Sequence, residues 1–274
     1  MKTERLDIRV PYPEICGNLI TYPCFVEAKY DGEMGIYVLE LGKIFGKNGL
    51  ARSECTLTDD LKIVAEELNT TCIYGELMYR EGYAGDIYKL LSASKTDDAN
   101  LRFVPFDFAA LRIALIDRKQ MLNEAIDKLM LINNNISRLR KIHCEWVTNK
   151  LELEETFGMF TAVGYEGVVC KGPSGKGFTT KTSWVKLKKK YTADLRVISA
   201  DPTQQRIGLT HNDQSELCGC KVPNISYSER MALVGKIVEI QYLQKLTDAT
   251  GVLTGLRNPV FLRVREDKTT VSLK

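Results

Sequence analysis

Phe25-Val26-Glu27-Ala28-Lys29-Tyr30-Asp31-Gly32-Glu33-Met34-Gly35-Ile36-Tyr37-Val38 is the stretch from which the chain is best read. Apolar residues on both sides of Asp31-Gly32 give the local signal for two strands joined by a tight turn, so a hairpin is expected. Lys29 closes the first strand beside the turn. A lysine ammonium has a pKa of about 10.4 and is a poor nucleophile until burial or neighbouring cations depress it. Taken alone, the stretch also fits an ordinary surface hairpin with its lysine in water.

Five further segments follow in order: Tyr74-Gly75-Glu76-Leu77-Met78, Pro105-Phe106-Asp107-Phe108, Glu166-Gly167-Val168-Val169-Cys170-Lys171, Trp184-Val185-Lys186-Leu187-Lys188 and Phe261-Leu262-Arg263-Val264-Arg265-Glu266-Asp267-Lys268. Together with Lys29-Tyr30-Asp31-Gly32 they resemble the motif series of the covalent nucleotidyltransferases: DNA ligases, RNA ligases and capping enzymes. The last segment resembles that of ATP-dependent DNA ligases, and the likeness runs through most of the chain.

The resemblance implies a role for each position. Lys29 would carry AMP covalently, Glu27 would read the adenine amino group, Glu76 the ribose hydroxyls, and Phe106 would stack on adenine. Lys186 and Lys188 alternate along a strand and share one face with Trp184; if that face meets Lys29, both cations would depress its pKa and hold the α-phosphate, as the resemblance implies. Asp31 and Glu166 would lie near a Mg²⁺ ion, whose preference is for carboxylate and phosphate oxygens. Lys47 stands where many of these ligases have an arginine on the nick phosphate, keeping the charge without the fork. Arg265, Asp267 and Lys268 would face the β- and γ-phosphates of ATP, with Arg257 and Arg263 flanking them. Two positions depart from the pattern: Met34 and Val260 each stand where the family has an arginine. Methionine at 34 cannot bind a phosphate, so that contact is either missing or supplied elsewhere, with Lys47 and Arg52 as the candidates. The plain alternatives are a core phenylalanine at 106, a basic exposed strand at 186–188 and a charged tail at 265–268.

Outward from the motifs, residues 1–24 carry Pro11, Pro13 and Pro23 and read as an irregular lead-in. Gly42–Gly49 reads as a strand and turn. Thr58 is a candidate cap for a helix with Leu61, Val64, Ala65 and Leu68 on one face. Cys72–Met78 and Leu101–Ala109 read as buried strands, with a short helix at Asp86–Leu91 between them. A helical period runs from Asp117 through Met121, Leu122, Ala125, Ile126, Leu129 and Met130 to Asn133-Asn134-Asn135. Lys141–Thr148 is a strand, Leu151–Ala162 a helix stopped by Gly164, and Val168–Lys171 a strand. Pro173–Gly177 is a loop without the phosphate-loop pattern. Beyond Tyr191 come five short strands (Leu195–Ala200, Arg206–His211, Glu216–Lys221, Ile237–Tyr242, Val260–Val264) and a helix at Ser226–Leu233, the content of a small oligonucleotide-binding barrel.

The expected class is therefore α+β. An adenylation (nucleotidyltransferase) domain of ATP-grasp-like antiparallel sheets with helices occupies 1–191, and an OB-fold β-barrel occupies 192–274. The chain has 274 residues, 44% hydrophobic and 27% charged, with no apolar run of the roughly 18 residues needed to span a membrane. Its N-terminus has no signal-peptide pattern, and the eight scattered cysteines suit a reduced cytoplasmic chain. A net charge of +3 does not by itself mark a nucleic-acid binder. Cys218-Gly219-Cys220 with His211 lacks a second ligand pair at zinc spacing. The resemblance implies that the protein would be a minimal, monomeric ATP-dependent DNA ligase. Its cofactors would then be ATP and Mg²⁺, and its partner nicked duplex DNA, expected to bind weakly and through charge because the barrel loops look short. An RNA ligase, or a non-catalytic nucleic-acid-binding module, is the alternative.

Overall fold

The structure, a computed structural model, describes residues 20–52, 57–79, 101–110, 112–132, 138–173, 184–212, 215–248 and 250–273. The start of the lead-in, the helix expected at Asp86–Leu91, Asn133–Asn135 and the loop from Ser174 to Gly177 lie outside these residues. The chain forms two compact units, Met1–Leu187 and Lys188–Lys274.

The first unit runs β1 (Cys24–Lys29), β2 (Glu33–Val38), β3 (Lys43–Gly46), α1 (Leu57–Glu67), β4 (Cys72–Tyr79), β5 (Leu101–Phe108), α2 (Leu115–Ile132), β6 (Cys144–Val147), α3 (Lys150–Ala162), β7 (Gly167–Lys171) and β8 (Trp184–Lys188). The hairpin expected around Asp31-Gly32 is not formed. β1 belongs to a four-stranded sheet of order β6-β1-β7-β8, and β2 to a second of order β3-β2-β4-β5. The groups that would close a hairpin are bonded elsewhere. The Lys29 carbonyl accepts from the Glu166 N–H at 3.0 Å, and the Gly32 N–H donates to Glu76 Oε1 at 3.1 Å. The Asp-Gly signal marks a turn, but long-range pairing chooses the partners of the flanking strands.

Each sheet has its own apolar layer. Leu57, Leu61, Val64 and Ala65 of α1 and Leu122, Ala125, Ile126 and Leu129 of α2 recur at helical spacing, and they pack with Ile73, Leu77, Phe103 and Phe108 of the second sheet. Thr58 lies inside α1, which already begins at Leu57, so it is not the cap. Leu153 and Phe160 of α3 cover Val26, Ala28, Val168 and Val185 of the first sheet. Burial of each such side chain contributes about 1.5–3 kcal/mol. Asn149 Oδ1 caps α3 by accepting from the Glu152 N–H at 3.0 Å, and Gly164 follows its end at φ +103°, a conformation that favours glycine. The strand expected over Lys141–Thr148 is confined to β6.

In the second unit β9 (Tyr191–Ala200), β10 (Arg206–Thr210) and β11 (Cys218–Lys221) lead to a short helix α4 (Tyr227–Met231) and then β12 (Ile237–Tyr242). β13 (Gln244–Thr247) and β14 (Leu253–Arg257) precede β15 (Val260–Val264) and β16 (Ser272–Leu273). The order β10-β11-β15-β12-β9 is closed by pairing of β10 with β9, giving the expected five-stranded barrel. Leu195, Val197, Ile207, Leu209, Val238 and Ile240 fill it. Two elements have no clear signal in the sequence: β16 on the edge of β9, and the separate β13–β14 ribbon between β12 and β15. Ser226 and Glu229 form a reciprocal capping box on α4. Cys220 is buried in the barrel, and burial pushes the Cys218 and Cys220 thiols up to about 12 and about 11. Among the described residues no group of three or more His, Cys, Asp or Glu could hold a metal ion unaided. No described helix is long and apolar enough to cross a membrane.

Candidate active site

Strand alternation sorts the first sheet into two faces. Val26, Ala28, Val168 and Cys170 point into the apolar layer under α3, which leaves Phe25, Glu27, Lys29 and Lys171 on the other side. The register fixes the pairs: Phe25 is opposite Lys171, Glu27 opposite Val169, and Lys29 opposite Gly167. The residues that carry charge are therefore gathered on one face because the intervening residues are needed by the core on the other.

At one end of that face the Lys29 ammonium is ion-paired with the Glu166 carboxylate. It also approaches the Tyr30 carbonyl at 3.4 Å. Glu166 immediately precedes β7, and the backbone bond from its N–H to the Lys29 carbonyl fixes the two residues side by side. Glu76 comes from β4 of the other sheet, opposite Met34, and reaches the turn through the Gly32 N–H. Burial pushes the Glu76 carboxyl up to about 7. Lys29 and the Gly32 N–H oppose the shift, while the charges of Glu166 and Asp31 add to it. Three carboxylates and one ammonium are thus within electrostatic reach of one another.

Gly32 is needed for its size. A Cβ there would stand 2.2 Å from the Leu77 carbonyl oxygen and 2.7 Å from Glu76 Cγ. We expect Gly32→Ala to cost about 1–3 kcal/mol, toward the upper end because the obstructing atom is backbone. A urea titration of the intact chain checks this, and an unchanged midpoint would show that the turn is not held against β4.

Further along the face lies a buried charge triad. The Glu27 carboxylate pairs through one oxygen with Lys119 of α2, and through the other with Lys171 Nζ at 2.6 Å. Glu27 and Lys171 are each only 1% exposed. Burial depresses the Lys171 pKa to about 8 against the attraction of Glu27. Lys171 Nζ sits 3.5 Å from the Trp184 ring centroid and 4.9 Å from that of Phe106, so two π faces share the cation with the carboxylate. Sequence reasoning does not single out Lys119 or Lys171. Lys171 ends the Glu166–Lys171 segment, and its burial beside the Glu27 carboxylate of the neighbouring strand is visible only in three dimensions.

Phe106 is half-buried rather than a core residue, and its ring meets Trp184 edge-on at 5.7 Å. A register shift explains its direction. Tyr74 pairs with Asp107 and Gly75 with Pro105, so Phe106 is the extra residue of a β-bulge, a device that re-aims a side chain. Asp107 points the opposite way and forms a buried fork with Arg118, at 2.7 Å to Nε and 2.9 Å to Nη2. Its work is to fasten β5 to α2.

The remaining expected residues are placed as follows. Lys186 is on β8, sharing the face of Trp184 by parity and separated from β1 by β7. Lys188 ends β8 where the two units divide. Lys47 is exposed at the turn after β3. Arg52, the other candidate to stand in for an arginine at position 34, is ion-paired with buried Glu33. Arg265, Asp267 and Lys268 lie together in the second unit. Arg265 forms a fork on Asp267 at 2.9 and 2.7 Å and donates to Asp194 Oδ1 at 2.9 Å, while Lys268 pairs with Asp194 Oδ2.

No protein-family model matches the chain, and no curated protein matches it by sequence. Solved structures do resemble it. A chain described as Pmar-Lig_Pre superposes with a TM-score of 0.78 at 20% identity, over 94% of this chain and 67% of its own length. A chain from a structure-function study of Lig E DNA ligases, described as DNA binding with a minimal scaffold, gives a TM-score of 0.73 at 17% identity, over 95% of this chain and 100% of its own. The ATP-dependent DNA ligase of bacteriophage T7, in complex with ATP, gives 0.54 at 15%, over 92% of this chain and 97% of its own. The fold defined above is therefore the fold of ATP-dependent DNA ligases: an α+β nucleotidyltransferase unit followed by an OB barrel. Among its bearers, the Lig E chain is matched over its whole length.

Proposed function

We propose that this chain is an ATP-dependent DNA ligase that seals 5′-phosphate/3′-hydroxyl nicks in duplex DNA, with Lys29 as the nucleotide carrier. The observation that carries the reading is the meeting of Lys29 and Glu166 across β1 and β7, joined to Glu76 of the other sheet through Gly32.

Lys29 gives up a proton, with the Glu166 carboxylate in contact to receive it, and its nitrogen lone pair attacks the α-phosphorus of ATP. The bond to the bridging oxygen breaks and pyrophosphate leaves. A 5′-phosphate oxygen then attacks the same phosphorus, the P–N bond breaks and the lysine nitrogen regains a proton. Finally the 3′-hydroxyl attacks the adenylylated 5′-phosphate and AMP leaves. Lys186 and Lys188 neutralise charge on the α-phosphate, Phe106 stacks on adenine, Glu27 reads the base and Glu76 the ribose. Lys47 contacts the nick phosphate. Arg265 and Lys268, held by Asp267, act on the β- and γ-phosphates. Asp31 and Glu166 offer hard oxygens too few to hold an ion alone, a donor set that fits Mg²⁺ shared with substrate phosphates. That ion would supply charge neutralisation at the phosphoryl group. The enzyme acts as a cytoplasmic monomer in DNA replication, repair or recombination.

The deciding experiment is sealing of a 5′-phosphorylated nicked duplex with ATP and Mg²⁺, run beside nicked RNA. Sealing of RNA in preference to DNA, or no ligation of either, would overturn the reading.

The Glu76 assignment predicts a pH dependence. A carboxylate accepts from ribose hydroxyls only when ionised, so affinity for an ATP analogue inert at the α–β bond should rise as pH increases through about 7. Glu76→Gln should flatten that rise. Stability moves the other way. The folded state holds the Glu76 proton up to about 7 and the unfolded chain only to about 4.5, so stability falls as pH rises between them. Calorimetric titration from pH 6 to 8 measures the first effect.

A further inference from the structure

Asp194, a residue outside all the motif segments, sits near the start of the barrel strand β9 with its carboxylate nearly buried. It gathers three donors: Arg265 Nη1 at 2.9 Å, Ser272 Oγ at 2.9 Å, and the Lys268 ammonium. Arg265 is gripped from the other side by Asp267, through Nε at 2.9 Å and Nη2 at 2.7 Å. These bonds use three of the five guanidinium N–H donors, and Glu239 Oε2 stands 3.8 Å from Nη1, which leaves the second Nη2 proton directed at none of these carboxylates. Lys268 likewise has ammonium protons beyond the one given to Asp194. Arg265 and Lys268 line a cavity of about 380 Å³ together with Arg196, Lys236 and Glu266, of which Lys236 and Glu266 pair with each other at 3.7 Å. Arg196 is itself fixed by donation to the Gly235 carbonyl at 3.0 Å and the Thr269 carbonyl at 3.3 Å. Burial works to raise the Asp194 carboxyl, but the donors from Lys268 and Ser272 and the charges of Lys268 and Arg265 outweigh it and hold it below the usual range.

A long, flexible cation loses rotamer freedom when it binds phosphate, and a partner that fixes it beforehand removes that cost from the binding step. We propose that Asp194 is a positioning residue that presets Arg265 and Lys268 for the polyphosphate of the nucleotide. The inference rests on the ligase reading, and it locates the Asp194 requirement in the step that uses ATP. A residue that only stitches β16 to β9 would affect all steps alike.

The test separates the steps. In Asp194→Asn, formation of lysyl-AMP from ATP should slow about tenfold or more, with the loss in the ATP dependence. Sealing of a nick supplied already adenylylated should stay within about twofold of wild type. Adding Asp194→Asn to Lys268→Gln should cost less than it does alone, because part of the effect of Asp194 runs through Lys268 and the rest through Arg265. If Asp194→Asn fails to fold, Ser272→Ala, which removes one donor of the same carboxylate, should slow lysyl-AMP formation about threefold and spare the later sealing. Equal loss in both steps, unchanged adenylylation, or full additivity with Lys268→Gln would overturn the role of Asp194 while leaving the ligase reading intact. A wild-type chain that forms no lysyl-AMP would instead overturn that reading and this inference with it.

Discussion

Lys29→Ala should abolish label transfer from α-labelled ATP to the protein and reduce ATP-dependent nick sealing by about 10⁴-fold or more. The magnitude follows from what a nucleophile does. It opens a covalent route, and residues that act as one unit with it lose their effect when it is gone. Glu166 would then stand without the ammonium it pairs with. An adenylylated nick bypasses the first step, so sealing of that substrate by Lys29→Ala should fall far less than sealing from ATP. Gel analysis of labelled protein and of both nicks checks the prediction. Full activity without this amine would remove it from the mechanism.

Glu27→Ala should destabilise the first unit by about 3–5 kcal/mol, the usual cost of breaking a buried ion pair from one side. Lys171 and Lys119 would be left as buried cations, with the two aromatic rings still facing Lys171. A double variant Glu27→Ala/Lys171→Met should recover part of the loss, because the stranded charge goes with its side chain. The deficit should also depend on pH. Burial already depresses Lys171 to about 8, and removing Glu27 lowers it further because that carboxylate was holding the proton on. The unfolded chain keeps this proton up to about 10.5, so it binds more protons than the folded variant above the depressed value. Part of the lost stability should therefore return as pH rises through that window. Denaturant titrations at pH 7 and pH 9 measure both effects, and equal stability of wild type and Glu27→Ala at pH 7 would show that the triad is not an energetic unit. In the proposed enzyme Glu27 also reads adenine, so ATP binding should weaken in the same variant. Its two lysines mean that the carboxylate meets the base already neutralised.

What could be read in the sequence was whatever depends on neighbours along the chain. The apolar spacing of Leu122, Ala125, Ile126 and Leu129 marks a helix, and the parity of Trp184, Lys186 and Lys188 sets them on one face of a strand, because side-chain direction follows from backbone period alone. The five barrel strands were also legible, although β16 and the β13–β14 ribbon were not, being too short or too polar to stand out.

What depended on partners far along the chain could not be read. Asp31-Gly32 signals a turn wherever it occurs, but only the pairing of β1 with β7 and of β2 with β4 makes it a crossing between sheets. Phe106 was visible as an aromatic, while its direction comes from a bulge that exists only against β4. Lys119, Lys171 and Asp194 carry no local signal, since a buried charge is recognised by the opposite charge beside it. That charge is supplied by Glu27 for the two lysines, and by Arg265 and Lys268 for Asp194. The chemical inventory of the site lies in the order of residues, and its electrostatics lie in which of them the fold brings within a few ångströms in low dielectric, where an ion pair or an unpaired charge counts for most.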